Sequence, residues 1–170
     1  MTPAVAQPST FQELALGHAH RRNRVFLFWW MGMVFAIPGL AYATAEAATG
    51  QFPETGLLTA ALGLVLSGVG WLVGIGPRFT RKPPRPARDF ARTHQGIRIA
   101  PGVAATVPIV MLAIVVALMT LTPKGTSPEV LPLMSFLAVF PVPISAGLLY
   151  SRRHLLARRE ELYARWLARG

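Results

Sequence analysis

The stretch from residue 56 to residue 76 reads GLLTAALGLVLSGVGWLVGIG and contains no Asp, Glu, Lys, Arg, His, Asn or Gln. At a rise of ~1.5 Å per residue, about 20 apolar residues in a helix cross the ~30 Å hydrocarbon core of a bilayer. In lipid, a single segment satisfies all its own backbone hydrogen bonds only as a helix. A barrel strand would alternate apolar and polar residues, and this stretch does not. The stretch therefore predicts a transmembrane helix.

Three more apolar stretches of this kind lie between the charged parts of the chain. None of them has the polar face that a helix on the surface of a soluble protein carries. Charged residues make up only 14% of the chain and hydrophobic residues 52%, whereas a soluble domain is ~25% charged. The predicted fold class is an all-α integral membrane protein with four transmembrane helices, at about 25–46, 56–76, 102–121 and 131–150.

The basic residues predict the orientation of these spans. Lys and Arg number 17 against 7 Asp and Glu, which gives a net charge of +10. All but Lys124 fall in the N-terminal segment 1–24, the Pro-rich loop 77–99 or the tail 151–170. Because Lys and Arg concentrate in cytoplasmic segments, we expect a multi-pass protein of the plasma (inner) membrane with both termini in the cytoplasm.

Two other interpretations of the charged segments deserve comparison. Arg21 and Arg22, followed by an apolar run and Ala43-Thr44-Ala45, resemble a cleavable signal peptide. Cleavage would leave three spans and place the basic loop and the basic tail on opposite sides of the membrane. The pI near 11.6 is also typical of nucleic-acid-binding proteins. Membrane topology already accounts for that charge, so we expect no nucleic-acid partner.

Small residues form one stripe on each of the first two spans. Small residues let helix backbones approach closely in lipid. The stripes predict that the two spans pack as a hairpin, or alternatively that they form a contact between subunits or line a pore. In the third span, Ala113 and Ala117 offer a smaller contact stripe. The predicted packing seam comprises Gly32, Ala36, Gly39 and Ala43 in the first span and Gly56, Ala60, Gly63, Ser67, Gly70 and Gly74 in the second.

Local signals predict where helices begin and bend. Ser9 with Gln12, or Thr10 with Glu13, has the spacing of a capping box, so a helix is expected to begin near residue 10 and to continue into the first span. Pro38 in the first span and Pro141 and Pro143 in the fourth each remove a backbone donor. We expect a kink at each of these positions.

The tail 151–170 has the pattern of a basic amphipathic helix, with Tyr163, Trp166 and several leucines on one stripe. Such a helix lies on a membrane surface, docks on a partner or extends the fourth span, and the pattern leaves all three open. Anionic headgroups attract basic segments by ~1 kcal/mol per residue near the surface. The residues predicted to contact anionic lipid or a partner are Arg78, Arg81, Lys82, Arg85, Arg88, Arg152, Arg153, Arg158, Arg159 and Trp166.

Glu46 is the one ionisable residue in the predicted spans. It lies 21 residues after Val25, or about 32 Å along a helix, which places it at the outer interface. Two interpretations are open there: a site for a cation or proton, and a solvated carboxylate at a helix end.

Residues outside the spans offer little further chemistry. A metal site would need the four histidines together with Glu13, Asp89 or Glu160, and the alternative is that the histidines lie at the surface near lipid headgroups. The histidines are His18, His20, His94 and His154. The chain has no cysteine and no nucleotide-binding glycine loop. We therefore expect no catalytic, cofactor or metal site.

These observations favour a non-catalytic accessory or scaffold subunit of a membrane complex. Its expected partners are anionic lipid headgroups and either another membrane protein or further copies of itself. Two alternatives stay open: a small oligomeric channel or transporter that uses Glu46, and a membrane enzyme acting on lipids through the histidines and Asp89 or Glu160.

Overall fold

The structure, a computed structural model, describes residues 10–75, 83–86, 90–121 and 130–169. Helices are the only regular secondary structure within these ranges. Four helices are long and apolar enough to cross a membrane. The helices are α1 (Phe11–Ala48), α2 (Glu54–Ile75), α3 (Phe90–Leu121), α4 (Val130–Val139), α5 (Pro141–Tyr150), a π-helical turn (Ser151–Leu156) and α6 (Arg159–Leu167).

Helix α1 begins where the Thr10–Glu13 pattern predicts. The Thr10 hydroxyl accepts a hydrogen bond from the Glu13 backbone N–H (3.4 Å), and the Glu13 carboxylate accepts one from the Thr10 N–H (3.2 Å). This reciprocal capping box satisfies two N–H groups that the first turn leaves unpaired. The helix then continues without a break through Pro38, which is fully buried. One helix thus forms both the N-terminal extension (residues 11–24) and the first span.

Helix α1 is the centre of the arrangement. Helix α2 packs along it on one side, α4 and α5 pack on it as well, and α6 packs on its N-terminal extension. Helix α3 makes its main contacts with α4 and α5. The four spans therefore lie in the order α2, α1, fourth span, α3, where the fourth span is Val130–Leu156.

The fourth span is interrupted at Phe140, between α4 and α5. Pro141 and Pro143 have no N–H, so the carbonyl groups one turn earlier lose their helical donors. Three side chains hold the interrupted span in place. Ser145 donates to the carbonyl oxygen of Ala104 in α3 (2.8 Å), and the Trp30 indole donates to that of Pro143 (2.7 Å). The single Ser135 hydroxyl proton is shared between the carbonyl oxygens of Pro132 in its own helix (2.7 Å) and Ala41 in α1 (3.1 Å).

Helix α3 differs from the sequence prediction in its packing face. The helix begins at Phe90, well before the predicted span at 102, and it passes through Pro101 and Pro108. The predicted stripe of Ala113 and Ala117 is wrong, because both residues are exposed. The contact with the fourth span instead buries Ala104 and Val115. Residue size along one helix did not reveal which face its neighbour covers.

Candidate functional site at the basic end of the helices

The N-terminal extension of α1, residues 83–86, the start of α3 and residues 151–169 meet at one end of the molecule, called the basic end below. Three hydrogen bonds join them. His20 bonds to Thr93 (2.9 Å), Arg21 donates to the Pro83 carbonyl oxygen (2.7 Å), and the Ser151 hydroxyl donates to the Asn23 side-chain oxygen (2.6 Å). Sequence reasoning missed all three, because these polar residues belong to no motif.

Helix α6 lies on α1 through a cluster of aromatic rings. Tyr163 is 6% exposed and packs against Phe11, with 5.2 Å between ring centroids. The His18 ring lies 5.8 Å from Tyr163 and 5.6 Å from Trp166. Burying aromatic rings in this way stabilises a contact more than any exposed ion pair does. The apolar side of α6 therefore lies on the chain's own first helix, a placement that is not among the three that the sequence leaves open. Only residues 151–156 of the tail extend the fourth span.

His18 is buried in this contact, so the expectation of surface histidines is wrong for this residue. It is 5% exposed, and its Nε2 atom has no hydrogen-bond partner among the described residues. Burial, together with the positive charges of Arg22 and Arg21, lowers the pKa of His18 from 6.5 to about 4. The imidazole is therefore neutral at physiological pH, and the ring acts as part of the packed cluster.

The predicted contact arginines have different environments. Arg158 and Arg165 both form ion pairs with Glu161 on the outer face of α6. Arg159 lies over the ring of Phe90, 5.6 Å from its centroid, and its side chain is only 14% exposed. Arg159, at the start of α6, therefore contacts α3 through Phe90 and does not face solvent or lipid.

The remaining predicted contacts divide into placed and unplaced residues. Arg153 is exposed, Arg152 is half-buried and lines a cleft described below, and Trp166 packs on His18. Arg85 has an exposed side chain, and its backbone lies directly against Gly17. Four of the predicted residues lie outside the described ranges: Arg78, Arg81, Lys82 and Arg88.

Two arginines hold Glu161 in its ionised form. A hydrogen bond from Arg158 is the largest influence, and the charges of Arg158 and Arg165 add to it, so the pKa of Glu161 falls below its usual value of 4.5. These groups are exposed. Pairs of this kind orient the side chains of a helix and contribute little to its stability.

The two stripes of small residues lie against each other within one hairpin. A Cβ atom added to Gly63 would lie 2.7 Å from the Gly32 carbonyl oxygen and 2.8 Å from the Cα of Ala36. One added to Gly39 would lie 2.6 Å from the Ala60 nitrogen. Backbones at this distance leave no room for a larger residue.

The same close contact extends along the hairpin in both directions. A Cβ atom at Gly56 would lie 2.6 Å from the Cβ of Ala43, and one at Gly70 would lie 2.6 Å from the Phe28 carbonyl oxygen. Ser67 is buried opposite Gly32, and its hydroxyl has no hydrogen-bond partner among the described residues. The surroundings of Gly74 lie outside what the structure describes.

Glu46 is buried at 5% exposure, so the prediction of a solvated carboxylate is wrong. Its carboxylate accepts a hydrogen bond from the backbone N–H of Gly56 at 2.9 Å. Gly56 lies in the first turn of α2, where backbone N–H groups have no helical partner and carry a partial positive charge. The carboxylate thus caps the second helix from the end of the first.

The four histidines have separate positions. His18 lies under α6, His20 bonds to Thr93, His94 packs on Phe90 and His154 packs on Tyr150. Among the described residues, no three His, Asp or Glu side chains come close enough to hold a metal ion. Asp89, a predicted member of such a site, lies outside these residues.

Two adjoining clefts run along α3 from the basic end toward the middle of the span. The upper cleft, of about 560 Å³, is lined by His94, Gln95, Ile97, Arg98 and Arg152. The lower cleft, of about 440 Å³, is lined by Arg98, Ile99, Gly102, Val103, Thr106 and Val107. Arg98 lines both, so the two clefts adjoin at this side chain, and together they are called the groove below. The upper cleft lies between α3 and Arg152, whereas the lower cleft is an open, mainly apolar face of α3.

The architecture defines the class of the chain as a helical protein with four candidate membrane spans. Comparisons with protein-family models, curated proteins and solved structures found no match at significant similarity.

Proposed function

We propose that this protein is a non-catalytic accessory or scaffold subunit of a complex in the plasma (inner) membrane, with both termini in the cytoplasm. In this proposal, the basic end docks an acidic surface of another membrane protein next to anionic lipid headgroups. One observation carries the proposal: α6 uses its aromatic side chains to pack on α1. The apolar side of α6 is therefore covered by protein and not by lipid. The arginines on its other side lie on a surface that is already formed.

The charge of this surface supports a partner of opposite sign. Exposed arginines come from every segment that meets at the basic end, whereas the described carboxylates there are those of Glu13, Glu160 and Glu161. Two of the arginines already neutralise Glu161. Complementary charge steers association and selects among partners. The exposed arginines are Arg22, Arg24, Arg85, Arg92, Arg98, Arg153, Arg158, Arg165 and Arg169.

The polar groups inside the spans also support a structural role. Glu46, Ser135, Ser145 and Trp30 each bond to the backbone of another helix. Such bonds hold helices together in lipid, where the hydrophobic effect does not drive helices to associate. Transporters and pumps instead place ionisable groups inside the spans along the path of the ion.

The proposal is tested by mild extraction of the native protein, followed by the mass and composition of the intact complex. We expect a second protein at fixed stoichiometry. Substituting Arg24, Arg153 and Arg169 together by Gln should release that protein, and substituting the same three by Lys should retain it, because Lys keeps the charge. A homo-oligomer alone would instead favour the channel interpretation, and a lone monomer would contradict any subunit role.

A further inference from the structure

We infer that the groove along α3 is a binding site for one anionic phospholipid, with the phosphate between Arg98 and Arg152 and an acyl chain along the lower cleft. Arg98 comes from α3 and Arg152 from the π-helical turn that ends the fourth span, so the site forms only where these two helices meet. This inference requires that the chain spans a membrane, and it does not depend on the proposed partner protein.

The upper end of the groove has the chemistry of an anion site. Arg98 and Arg152 present two guanidinium groups, which bind phosphate oxygens through pairs of parallel N–H donors. His94 and Gln95 line the same cleft and add further hydrogen-bonding groups. No described carboxylate forms an ion pair with either arginine. Basic pockets between transmembrane helices are a common way to bind anionic headgroups.

The lower end of the groove selects a lipid over a soluble phosphate. Its lining residues are apolar except for Arg98 at its top and Thr106, whose hydroxyl is already bonded to the Gly102 carbonyl oxygen at 2.8 Å. A soluble phosphate ester would gain nothing from this surface, whereas an acyl chain would bury it.

The register of α3 brings the two parts of the groove onto one face. Arg98, Gly102 and Thr106 recur every four residues, and each step turns by only about 40° around the helix, so these three lie within about 80° of each other. From Arg98 to Val107 is nine residues, or about 14 Å. One leaflet of the hydrocarbon core is about 15 Å thick, so the lower cleft has the length of an acyl chain that hangs from a headgroup at Arg98.

Gly102 leaves this path open. A Cβ atom added at Gly102 would meet no atom of the described residues within 4 Å, in contrast to the glycines of the α1–α2 seam. The absence of a side chain therefore has no packing role among the described residues. In the inferred site, the space beside Gly102 holds the glycerol backbone of the lipid, between the headgroup at Arg98 and the acyl chain.

The test measures binding of the first lipid to the delipidated full-length protein in detergent by native mass spectrometry. The probes are phosphatidylglycerol and phosphatidylcholine with identical acyl chains. With ~1 kcal/mol for each of the two arginines near the headgroup, we expect phosphatidylglycerol to bind about thirtyfold more tightly. Arg98→Gln with Arg152→Gln should remove this preference, and Arg153→Gln, next to the groove, should retain it. Equal binding of the two lipids, or an equal loss in the Arg153 control, would overturn the inference.

A second variant tests the lower part of the groove separately. Gly102→Phe keeps both arginines and adds a ring in open space, so the fold is expected to persist, as monitored by thermal unfolding. We expect it to weaken the first phosphatidylglycerol by about tenfold. Unchanged affinity would show that no acyl chain uses the lower cleft. Competition by soluble glycerol phosphate at millimolar concentration would show a simple anion site and would also overturn the lipid assignment.

Discussion

The carboxylate of Glu46, near the end of α1, accepts a hydrogen bond from the backbone N–H of Gly56 in the first turn of α2. Glu46 also stabilises the turn between the two helices, because its carbonyl oxygen accepts a hydrogen bond from the Gln51 N–H at 2.9 Å. Gly50 supplies the positive φ of 76° that this short connection requires. One residue thus fixes both the end of the first helix and the start of the second.

Replacing Glu46 should therefore affect stability. Glu46→Leu removes the cap and is expected to cost about 0.5–2 kcal/mol, the usual range for a lost N-terminal cap. Glu46→Gln keeps an oxygen acceptor at the same position and should cost less than half of that. Thermal unfolding of the purified protein in detergent measures both. If Glu46→Gln instead abolished an ion flux while leaving the unfolding temperature unchanged, Glu46 would be an ion or proton site.

The hairpin of α1 and α2 should depend on the glycines that touch and not on those that face outward. Gly63→Leu places a side chain where even a Cβ would lie 2.7 Å from the Gly32 carbonyl oxygen. We expect a loss of at least about 3 kcal/mol, the upper end of the cost of overpacking. Gly68→Leu is the matched control, because a Cβ atom at Gly68 meets nothing within 4 Å.

The measurement is the unfolding temperature together with the fraction of protein that elutes as a single species in detergent. Gly68→Leu should match the parent protein in both. A Gly63→Leu variant that behaves like Gly68→Leu would contradict the close packing of the hairpin. If both variants lost a larger assembly without losing stability, the outer face of α2 would be an interface between subunits.

The sequence was sufficient to predict the spans and the cap of α1, and the reasons are physical. A span is determined by hydropathy over about 20 residues, and the capping box at Thr10 is local. The spacing of the small residues likewise defined one face on each of two consecutive helices. Because the connection between them is short, those two faces had few other ways to meet.

The features that the sequence left unpredicted depend on which helices are neighbours. The bond between Ser151 and Asn23 joins residues 128 positions apart, and no periodicity along one helix reveals it. Gly147 is similar: a Cβ atom there would overlap the indole of Trp30, which reaches past it to the Pro143 carbonyl oxygen. Hydropathy also places Glu46 at the membrane interface without showing that the next helix covers it.

Acid should loosen the contact between α6 and α1. His18 has a pKa of about 4 in the folded protein and an ordinary value of 6.5. Between these values the unfolded state binds a proton that the folded state does not, so stability falls as the pH decreases from 6.5 to 4. With ~1.4 kcal/mol per pKa unit, the full loss is at most about 3 kcal/mol. The groups that face His18 are Tyr163, Trp166, Arg21 and Arg22.

Hydrogen exchange of residues 159–167 as a function of pH tests this prediction, after correction for the intrinsic pH dependence of exchange. Protection should fall between pH 6.5 and pH 4.5, a window above the titration of Glu161, whose pKa is lowered. His18→Phe keeps the ring contacts and should make protection independent of pH in this window. His18→Arg should lower protection at every pH. An unchanged pH profile in His18→Phe would assign the effect to another group.

The proposed orientation can be measured with single cysteines, because the chain has none of its own. Phe52 is 79% exposed in the connection between α1 and α2, and Ala91 and Ala157 are exposed at the basic end. With 16 of the 17 basic residues in segments that the positive-inside rule places in the cytoplasm, a membrane-impermeant maleimide added to intact cells should label Phe52→Cys. It should label Ala91→Cys and Ala157→Cys only after the membrane is opened. Labelling of Phe52→Cys and Ala157→Cys from the same side would contradict both the three spans that separate these positions and the proposed topology. Labelling of Ala157→Cys from outside, with Phe52→Cys protected, would invert the orientation and remove the cytoplasmic partner from the proposed function.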